Sequence, residues 1–327
     1  MLVDSFGREI VNLRISVTDR CNLRCFYCIP HEEIEWLPRA DILTFEEIER
    51  FVSIVAPLGI RKLRLTGGEP LLRRDLPDLV RRLVAVPGIV DVGMTTNGTA
   101  LARLAGELWD AGLRRLNVSL DTLDRELFRK LTRRDALDAV LAGLEAASAA
   151  GFAPIKVNAV IERDKNLSEI LPLAALARAH GLILRFIEYM PIGAGDAWAK
   201  DRVVPNSEIL EILSSLGPLE PVGAPDGTGP AERWRWADGR GEIGLIGSVT
   251  EPFCDRCNRI RITAEGKLRT CLFSVVEHDV RARLRGGAPD EEIRDLVVRA
   301  VAKKEPGHKI GQADFVKPLR TMSQIGG

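Results

Sequence analysis

Short runs rich in strand-forming residues alternate with helical stretches over residues 12–190, and this alternation restricts the fold more than any other feature of the sequence. The strand-forming runs are 12–17, 62–66, 90–95, 115–120, 155–161 and 183–189. Helices are predicted at 45–58, 76–86, 99–111, 135–150 and 167–180. Thr44 and Glu47 form a capping-box signal before the first helix, and Gly59 suits its end. Six strands alternating with five helices predict a parallel sheet covered by helices, with functional sites at the carboxyl ends of the strands.

The composition of the chain changes after residue 190. Gly/Pro-rich segments occupy much of 191–230 and predict loops. Strands are then predicted at 233–236, 242–246 and 259–263, and helices at 276–285 and 289–302. The last residues, 317–327, lack periodicity and end in Gly326-Gly327. We therefore predict two domains, an α/β domain over 1–195 and a smaller α+β domain over 196–327.

Charge and composition exclude several classes of function. Lys+Arg and Asp+Glu both count 46, and aromatic residues make up 5%. A nucleic-acid-binding protein would show a basic excess or aromatic stacking platforms. No apolar run approaches the length of a membrane span, and the charged residues 1–9 do not resemble a signal peptide. We expect a cytoplasmic protein that binds neither nucleic acid nor membrane.

Six cysteines fall into two groups of three, a pattern that in a reducing compartment indicates metal binding rather than disulfides. The first group is Cys21, Cys25 and Cys28, spaced C-x3-C-x2-C after the first predicted strand. Three thiolates on one loop can hold three corners of a [4Fe–4S] cluster and leave its fourth iron open to a ligand. The alternative is a zinc site completed by a residue such as His31. The x3 gap favours the cluster, because zinc loops usually use C-x2-C pairs.

The segment Thr66-Gly67-Gly68-Glu69-Pro70 follows the second predicted strand. By itself, Gly-Gly is more typical of a plain turn than of a ligand site. Together with the C-x3-C-x2-C loop, whose aromatic residue is Tyr27, it resembles the radical S-adenosylmethionine (SAM) superfamily. That resemblance implies a partial (βα)6 TIM-like barrel of the radical SAM type over 12–190 and a cluster that binds SAM. It implies SAM contacts for four residues, namely Tyr27, Gly68, Ser119 and Met190. For Met190, a place in the core is an equally good interpretation.

The second group is Cys254, Cys257 and Cys271, spaced C-x2-C-x13-C. Zinc is a serious alternative here because C-x2-C is a common half of a zinc site. However, the chain has no fourth cysteine in this region, and His278 lies seven residues past Cys271. A second [4Fe–4S] cluster with one open iron fits the number of thiols better.

Several motifs together resemble the GTP 3′,8-cyclase family of molybdenum cofactor biosynthesis, a radical SAM family. They are LRISVTDRCNLRCFYC, TGGEPLLRRDL, TTNGT, GLRRLNVSLD, KVNAVI, RFIEYMP, SVTEPFCDRCNRIRIT and the terminal MSQIGG, in that order from end to end. One departure is an extra residue between Gly151 and Lys156. The resemblance implies an enzyme with two [4Fe–4S] clusters and SAM that converts GTP to (8S)-3′,8-cyclo-7,8-dihydroguanosine 5′-triphosphate. It also implies an electron donor and a downstream cyclic pyranopterin monophosphate synthase, and it leaves a homodimer open.

The resemblance also implies which residues bind GTP. They are Arg14, Lys62, Arg64, Thr95, Lys156, Arg185, Arg259 and Arg261. Cations suit a triphosphate, although ion pairing or exposure at strand ends would also explain charges on apolar strands. Because Arg259 and Arg261 are two residues apart on a predicted strand, their side chains share one face. By the same resemblance these two arginines act in catalysis and Gly326 and Gly327 reach into the active site, where a frayed terminus is the ordinary alternative.

Two other functions remain open from the sequence. Another radical SAM enzyme with two clusters, such as a peptide-modifying maturase, shares the first motifs, although such enzymes usually carry more C-terminal cysteines. A structural zinc protein would use the same thiols without catalysis. The histidines His31, His180, His278 and His308 receive no role.

Overall fold

A computed structural model describes residues 1–29, 34–192, 198–223 and 229–326. Within these residues the strands form a 12-stranded sheet. The strands are β1 (Asn12–Ser16), β2 (Lys62–Thr66), β3 (Asp91–Thr96), β4 (Arg115–Ser119), β5 (Lys156–Ile161), β6 (Ile183–Glu188), β7 (Leu219–Val222), β8 (Glu232–Trp236), β9 (Glu242–Ile246), β10 (Arg259–Ile262), β11 (Lys267–Arg269) and β12 (His278–Asp279). Both ends of each of the first six strands lie within one residue of the predicted ends.

The order of the strands joins the two halves of the chain. It runs β12-β11-β10-β1-β2-β3-β4-β5-β6-β9-β8-β7. The C-terminal strands β10 and β9 pair in parallel with β1 and β6, so they continue the N-terminal sheet at both of its edges. Beyond them the pairing becomes antiparallel. The division at 195/196 stays a prediction, and its boundary lies outside the described residues.

The α-helices of the described residues mostly follow the predicted pattern. They are α1 (Phe45–Val55), α2 (Leu76–Ala85), α3 (Leu101–Asp110), α4 (Arg125–Thr132), α5 (Leu137–Ala149), α6 (Arg163–Asn166), α7 (Ile170–His180), α8 (Asn206–Ser214), α9 (Val280–Arg285), α10 (Asp290–Ala302) and α11 (Met322–Ile325). The capping box of α1 is confirmed, since the Glu47 amide donates to Thr44 Oγ1 at 3.2 Å and the Thr44 amide to Glu47 Oε2 at 2.7 Å. After α1 the chain tightens into a short 3-10 turn and leaves it at Gly59, whose φ is 112°.

One predicted helix starts later than expected, and several helices were missed. The helix predicted at 276–285 begins only at Val280, because His278–Asp279 pairs with β11. Helix α8 lies between the two Gly/Pro-rich segments and was not predicted. The tail at 317–327 contains α11, where Thr321 and Gln324 form a second capping box. Helix α4 was missed as well, although Asp124 caps it by accepting from the Leu127 amide at 2.6 Å.

Alternation along the parallel strands decides where the core and the cavity lie. Successive side chains of a strand point to opposite faces. One face is apolar and packs under the helices, with exposed fractions of at most 4% for a set that includes Leu13, Ile15, Leu63, Leu65, Val92, Met94, Leu116, Val118, Leu184 and Phe186. The other face carries the polar residues between them, and these line a cavity instead of filling a core. The sheet therefore curves around a polar interior.

Close packing of α3 against α5 depends on a glycine, which gives a stability prediction. A Cβ added at Gly143 would lie 2.5 Å from the backbone oxygen of Gly98, which cannot move away. We predict that Gly143→Ala lowers the free energy of unfolding by about 1–3 kcal/mol. The control is Gly106→Ala on α3, which meets no atom within 4 Å and should raise stability by about 0.5–1 kcal/mol. Anaerobic thermal unfolding followed by circular dichroism checks both, and equal melting temperatures would contradict the packing argument.

Candidate active site

A cavity of about 650 Å³ occupies the concave side of the sheet. Its wall includes the six cysteines and all twelve residues that the sequence assigned to SAM and GTP. These assigned residues are Arg14, Tyr27, Lys62, Arg64, Gly68, Thr95, Ser119, Lys156, Arg185, Met190, Arg259 and Arg261. The structure thus brings together groups that are far apart in the sequence, although it does not by itself test the role of any of them.

The first cysteine group lies on the loop after β1 and is partly buried, with Glu69 and Asp121 among the charged groups near it. All three thiols are free. Burial raises the pKa of Cys21 to about 11, and Glu69 adds to this shift. Burial also raises the pKa of Cys25 and of Cys28, with Asp121 adding to the shift at Cys25. Such thiols stay protonated near neutral pH unless a metal displaces the proton.

The glycines of the TGGEP segment first serve the packing of this cysteine loop. A Cβ at Gly68 would lie 2.2 Å from the backbone oxygen of Arg20, and one at Gly67 would lie 2.3 Å from that of Thr18. The amides of Gly68 and Glu69 donate to the carbonyls of Thr18 and Arg20 at 2.7 and 2.8 Å. No side chain fits there, so the two loops form one backbone-bonded unit.

Two carboxyl groups stiffen the wall near the first cysteine group. Glu69 is 1% exposed and accepts from Thr96 Oγ1 and the Asn97 amide, both at 2.6 Å. Burial raises the pKa of Glu69 to about 7, although these hydrogen bonds oppose the shift. Tyr27 donates to Asp121 Oδ2 at 2.9 Å, and burial raises the pKa of Asp121 to about 6.

The second cysteine group lies at the ends of β10 and β11, and its environment is cationic. Burial would raise the pKa of Cys257, but the charges of Arg259 and Lys304 outweigh it and lower that pKa to about 7. Burial raises the pKa of Cys254, while the backbone amide of His308 donates to its sulfur and opposes the shift. A thiolate is therefore easier to form here than at the first group.

The predicted clusters fit both groups by the chemistry of their donors. Each group offers three free thiols on the wall of the cavity, and each cubane thiolate binds a separate iron atom. Within the described residues, no three His, Cys, Asp or Glu side chains converge as they would on a single metal ion. His31, the proposed fourth zinc ligand, lies outside the described residues. His308 lines the cavity, with Nε2 2.7 Å from the backbone oxygen of Ser248.

The cationic side chains form a continuous patch because the strands are in register. Arg14 pairs across the sheet with Arg64 on one side and Arg261 on the other. Lys156 begins β5 beside Asn117, so the extra residue before it is absorbed by the loop. Burial and the neighbouring arginines lower the pKa of Lys156 to about 8.

Burial lowers the pKa of the inward arginines too. It lowers the pKa of Arg14, that of Arg64 to about 9, and those of Arg185 and Arg261 to about 10. In the part of the chain that the structure describes, these four form no salt bridge, and their observed acceptors are neutral. Arg185 Nε donates to Asn158 Oδ1 at 2.9 Å, and Arg64 Nη1 approaches the Met94 carbonyl at 3.4 Å. The patch therefore has the charge to attract a polyanion.

Two glycines make room for this patch, and sequence reasoning missed them. A Cβ at Gly93 would lie 2.7 Å from Arg64 Nη1, and one at Gly244 would lie 2.9 Å from Arg185 Cγ. Asn117 and Asn158, which face Arg185, were missed as well. The sequence did contain a signal for the two asparagines. Asn117 lies two residues before Ser119, and Asn158 lies two residues after Lys156, so strand alternation places each pair on the same face.

The C-terminal tail reaches the same cavity. Gly326 is buried with φ 85°, and its carbonyl accepts from Arg261 Nη1 at 2.7 Å. A Cβ at Gly326 would lie 3.1 Å from both Ser16 and Thr66. Ile325 anchors the tail in a small apolar cluster with Ile192 and Phe273. Gly327 lies outside the described residues, so its predicted role is not tested.

Comparison with protein families divides the chain into two matching regions. Residues 15–177 match the model described as the Radical SAM superfamily, and residues 182–310 match the one described as Molybdenum Cofactor Synthesis C. The chain is 47% identical over 330 residues to the GTP 3′,8-cyclase of Rhodopirellula baltica, covering 100% of this chain and 92% of that protein. It is also 47% identical over 325 residues to the GTP 3′,8-cyclase of Pelotomaculum thermopropionicum, covering 99% of each.

Comparison with solved structures supports the fold. Streptococcus suis SuiB bound to S-adenosylmethionine gives a TM-score of 0.60 at 14% identity, over 97% of this chain and 77% of that one. SuiB bound to precursor peptide SuiA gives 0.63 at 13% identity, over 91% and 67%. At this identity the likeness concerns the fold alone. No helix among the described residues is both long and apolar enough to span a membrane.

The space beside Arg64 gives a prediction for anion binding. In Gly93→Ala the clash falls on the flexible end of Arg64, so the protein should fold while the guanidinium moves. We predict roughly tenfold weaker binding of inorganic tripolyphosphate, measured by calorimetry, because a charged hydrogen bond of about 1.5 kcal/mol is displaced. The control is Gly223→Ala, which meets no atom within 4 Å. Unchanged affinity in Gly93→Ala would show that the anion does not use Arg64.

Proposed function

The chain belongs to the GTP 3′,8-cyclase family of radical SAM enzymes, and we propose that the two ends of its cavity divide the reaction between SAM and GTP. The observation that carries the proposal is a single cavity lined by two groups of free cysteines and by a patch of arginines. SAM lies beside the first cysteine group, and GTP lies between the arginines and the second group. The product is (8S)-3′,8-cyclo-7,8-dihydroguanosine 5′-triphosphate.

The proposed cofactors are held by residues from both halves of the chain. Cys21, Cys25 and Cys28 hold one [4Fe–4S] cluster, and a second is held by Cys254, Cys257 and Cys271. Bound clusters and SAM supply the hydrogen-atom abstraction at the ribose that starts the cyclisation. Four cavity residues, namely Tyr27, Gly68, Ser119 and Met190, are proposed to contact SAM. The hydrogen bond from Tyr27 to Asp121 fixes the orientation of the tyrosine ring at this end.

The triphosphate of GTP provides the counter-charge that the inward cations lack. It carries about four negative charges near neutral pH, and arginine forks match phosphate oxygens well. We place it against Arg14, Arg64, Lys156 and Arg185, with Lys62 and Thr95 on the same wall. Since burial disfavours these positive charges, a bound anion would stabilise them.

The guanine base lies beside the second cysteine group in this arrangement. Arg259 and Arg261 extend from the same face of β10 toward the cavity. The Gly326 carbonyl holds one amino group of Arg261, which leaves its other donors for the substrate. We propose that Gly326, followed by Gly327, keeps this arginine in position while the ring closes. A side chain at Gly326 would crowd Ser16 and Thr66 and would strain a backbone with φ 85°.

The proposal also includes partners outside the chain. Radical chemistry at reduced clusters requires an electron donor. The product requires a protein that completes the pterin, and we propose a cyclic pyranopterin monophosphate synthase. Six free thiols suit a reducing compartment, so we propose the cytoplasm. A homodimer remains open.

The decisive experiment is anaerobic incubation with GTP, SAM and a chemical reductant, followed by mass analysis of the nucleotide. We predict the cyclised triphosphate for the parent chain. Cys25→Ser should abolish 5′-deoxyadenosine formation while GTP still binds. Cys257→Ser should keep SAM binding but lose the cyclised product, because the base is no longer held.

The outcomes separate this function from its rivals. About eight irons per chain are expected for two clusters, whereas a structural zinc protein would contain stoichiometric zinc. Undiminished SAM cleavage in Cys25→Ser would contradict the assignment of the first cysteine group. Normal product in Cys257→Ser would show that the second group does not orient the base.

The lowered pKa of Lys156 predicts proton uptake when GTP binds. This pKa is about 8, and a nearby triphosphate should raise it toward the usual value of about 10.4. Near pH 8.5 more than half of the Lys156 side chains are neutral and must gain a proton on binding, whereas at about pH 7 nearly all are already charged. GTP affinity should therefore fall as pH rises through 8.

Calorimetry without SAM, in two buffers of different ionisation enthalpy, measures this uptake. We expect about half a proton or more per GTP near pH 8.5. Lys156→Arg keeps the charge but not the titration, so it should bind GTP without this uptake. Equal proton uptake in the parent chain and in Lys156→Arg would assign the titration to another group.

A further inference from the structure

Residues of the segment 304–308 contact Cys254 and the backbone next to Cys257 and Cys271, although sequence analysis gave this segment no role. Lys304 Nζ donates to the Arg259 carbonyl at 3.1 Å and to the Thr270 carbonyl. Arg259 follows Cys257 by two residues, and Thr270 immediately precedes Cys271. One ammonium group therefore bridges the backbones that carry two of the three thiols.

The same segment also supports the third thiol. The amide of His308 donates to the sulfur of Cys254. Gly307 packs so closely that an added Cβ would lie 2.9 Å from Cys254 Cβ. Arg8 then fixes this part of the segment to the cysteine loop, since its Nη1 donates to the carbonyls of Cys254 and Pro306 at 2.6 and 2.8 Å.

The charge of Lys304 indicates an electrostatic role in addition to its two hydrogen bonds. Its exposed fraction is 3%, and a buried ammonium is costly unless an opposite charge compensates it. Among the described residues it forms no salt bridge, and its acceptors are the two carbonyls. Its positive charge acts on Cys257. A thiolate-bound cluster carries the negative charge that would compensate this ammonium.

We propose that Lys304 is a positioning residue for the C-terminal cluster, holding the Cys257 and Cys271 segments at a fixed separation and stabilising the reduced state of the cluster with its charge. The proposal rests on the proposed binding of a cluster by Cys254, Cys257 and Cys271. Reduction adds an electron to the cluster, so removing a nearby buried positive charge makes reduction less favourable. The midpoint potential should then become more negative.

Variants of Lys304 separate the charge of the side chain from its packing and its hydrogen bonds. Lys304→Met keeps an unbranched apolar stem but removes the charge and both hydrogen bonds. Lys304→Gln removes the charge but keeps a donor for one of the two carbonyls. Lys304→Arg keeps the charge. The matched control is Lys303→Met, because Lys303 is the exposed neighbouring lysine.

The experiment uses the full chain with Cys21, Cys25 and Cys28 all replaced by serine, so that only the C-terminal cluster contributes to the signal. After anaerobic reconstitution, iron content, release of iron to a chelator and midpoint potential by electron paramagnetic resonance are measured. We expect Lys304→Met and Lys304→Gln to shift the potential to more negative values and to release iron roughly tenfold faster. Lys304→Arg and Lys303→Met should stay close to the parent.

The outcomes distinguish this proposal from the function on which it depends. If the parent in this background retains no iron, the second cysteine group does not bind a cluster, and both proposals are overturned. If it retains a cluster whose potential and iron release are unchanged in Lys304→Gln, only the role of Lys304 is overturned. Lys304→Gln decides the question even if Lys304→Met does not fold.

Discussion

The positive charges on the inner face of the sheet need a counter-charge, and the arrangement of the cavity follows from that need. Arg14, Arg64 and Arg185 alternate with outward apolar residues that anchor the strands under the helices. Arg185 donates to the amide oxygen of Asn158 and Arg64 to the Met94 carbonyl, and these neutral acceptors do not cancel charge. Keeping such charges unpaired costs free energy that an anionic ligand would offset. The cavity is thus suited to a polyanion.

The C-terminal half completes this cavity by extending the sheet rather than by packing beside it. Strand β10 pairs with β1, which sets Arg261 directly beside Arg14, and β9 pairs with β6, which sets Gly244 beside Arg185. One edge therefore adds charge and the other adds space. Because both contributions depend on strand register, a slip of one residue would turn Arg261 outward. The register of two strand pairs thus fixes the shape and the charge of the site together.

Local signals in the sequence account for what could be predicted. The alternation of strands and helices, the Thr44–Glu47 capping box and the i, i+2 spacing of Arg259 and Arg261 each depend on residues close in the chain, and the structure agrees with them. The space that Gly93 leaves for Arg64 depends on the pairing of β2 with β3, which no local pattern reports.

The contrast between local signals and contacts distant in sequence also explains the errors in the C-terminal part. Helix α8 was missed because the Gly/Pro-rich loops on either side dominated the pattern. The tail lacked periodicity because its four-residue helix α11 is fixed mainly by contacts elsewhere in the fold, through Ile325 and the carbonyl of Gly326. No local sequence pattern indicated a role for Lys304, because its partners Arg259 and Thr270 are distant in sequence.

The two cysteine groups differ in electrostatic environment, and the difference matches the proposed ligands. Glu69 and Asp121 act on the first group and disfavour thiolates there, whereas Arg259 and Lys304 favour one at the second. SAM carries a sulfonium and an ammonium against one carboxylate, so its net charge is positive, while GTP is strongly negative. A cavity that is acidic at one end and basic at the other sorts two nucleotide-like ligands by charge before any base is recognised. Exchanging them would place the triphosphate beside buried carboxyl groups and the sulfonium among arginines. The charges at the two ends of the cavity therefore agree with the proposed placement of SAM and GTP.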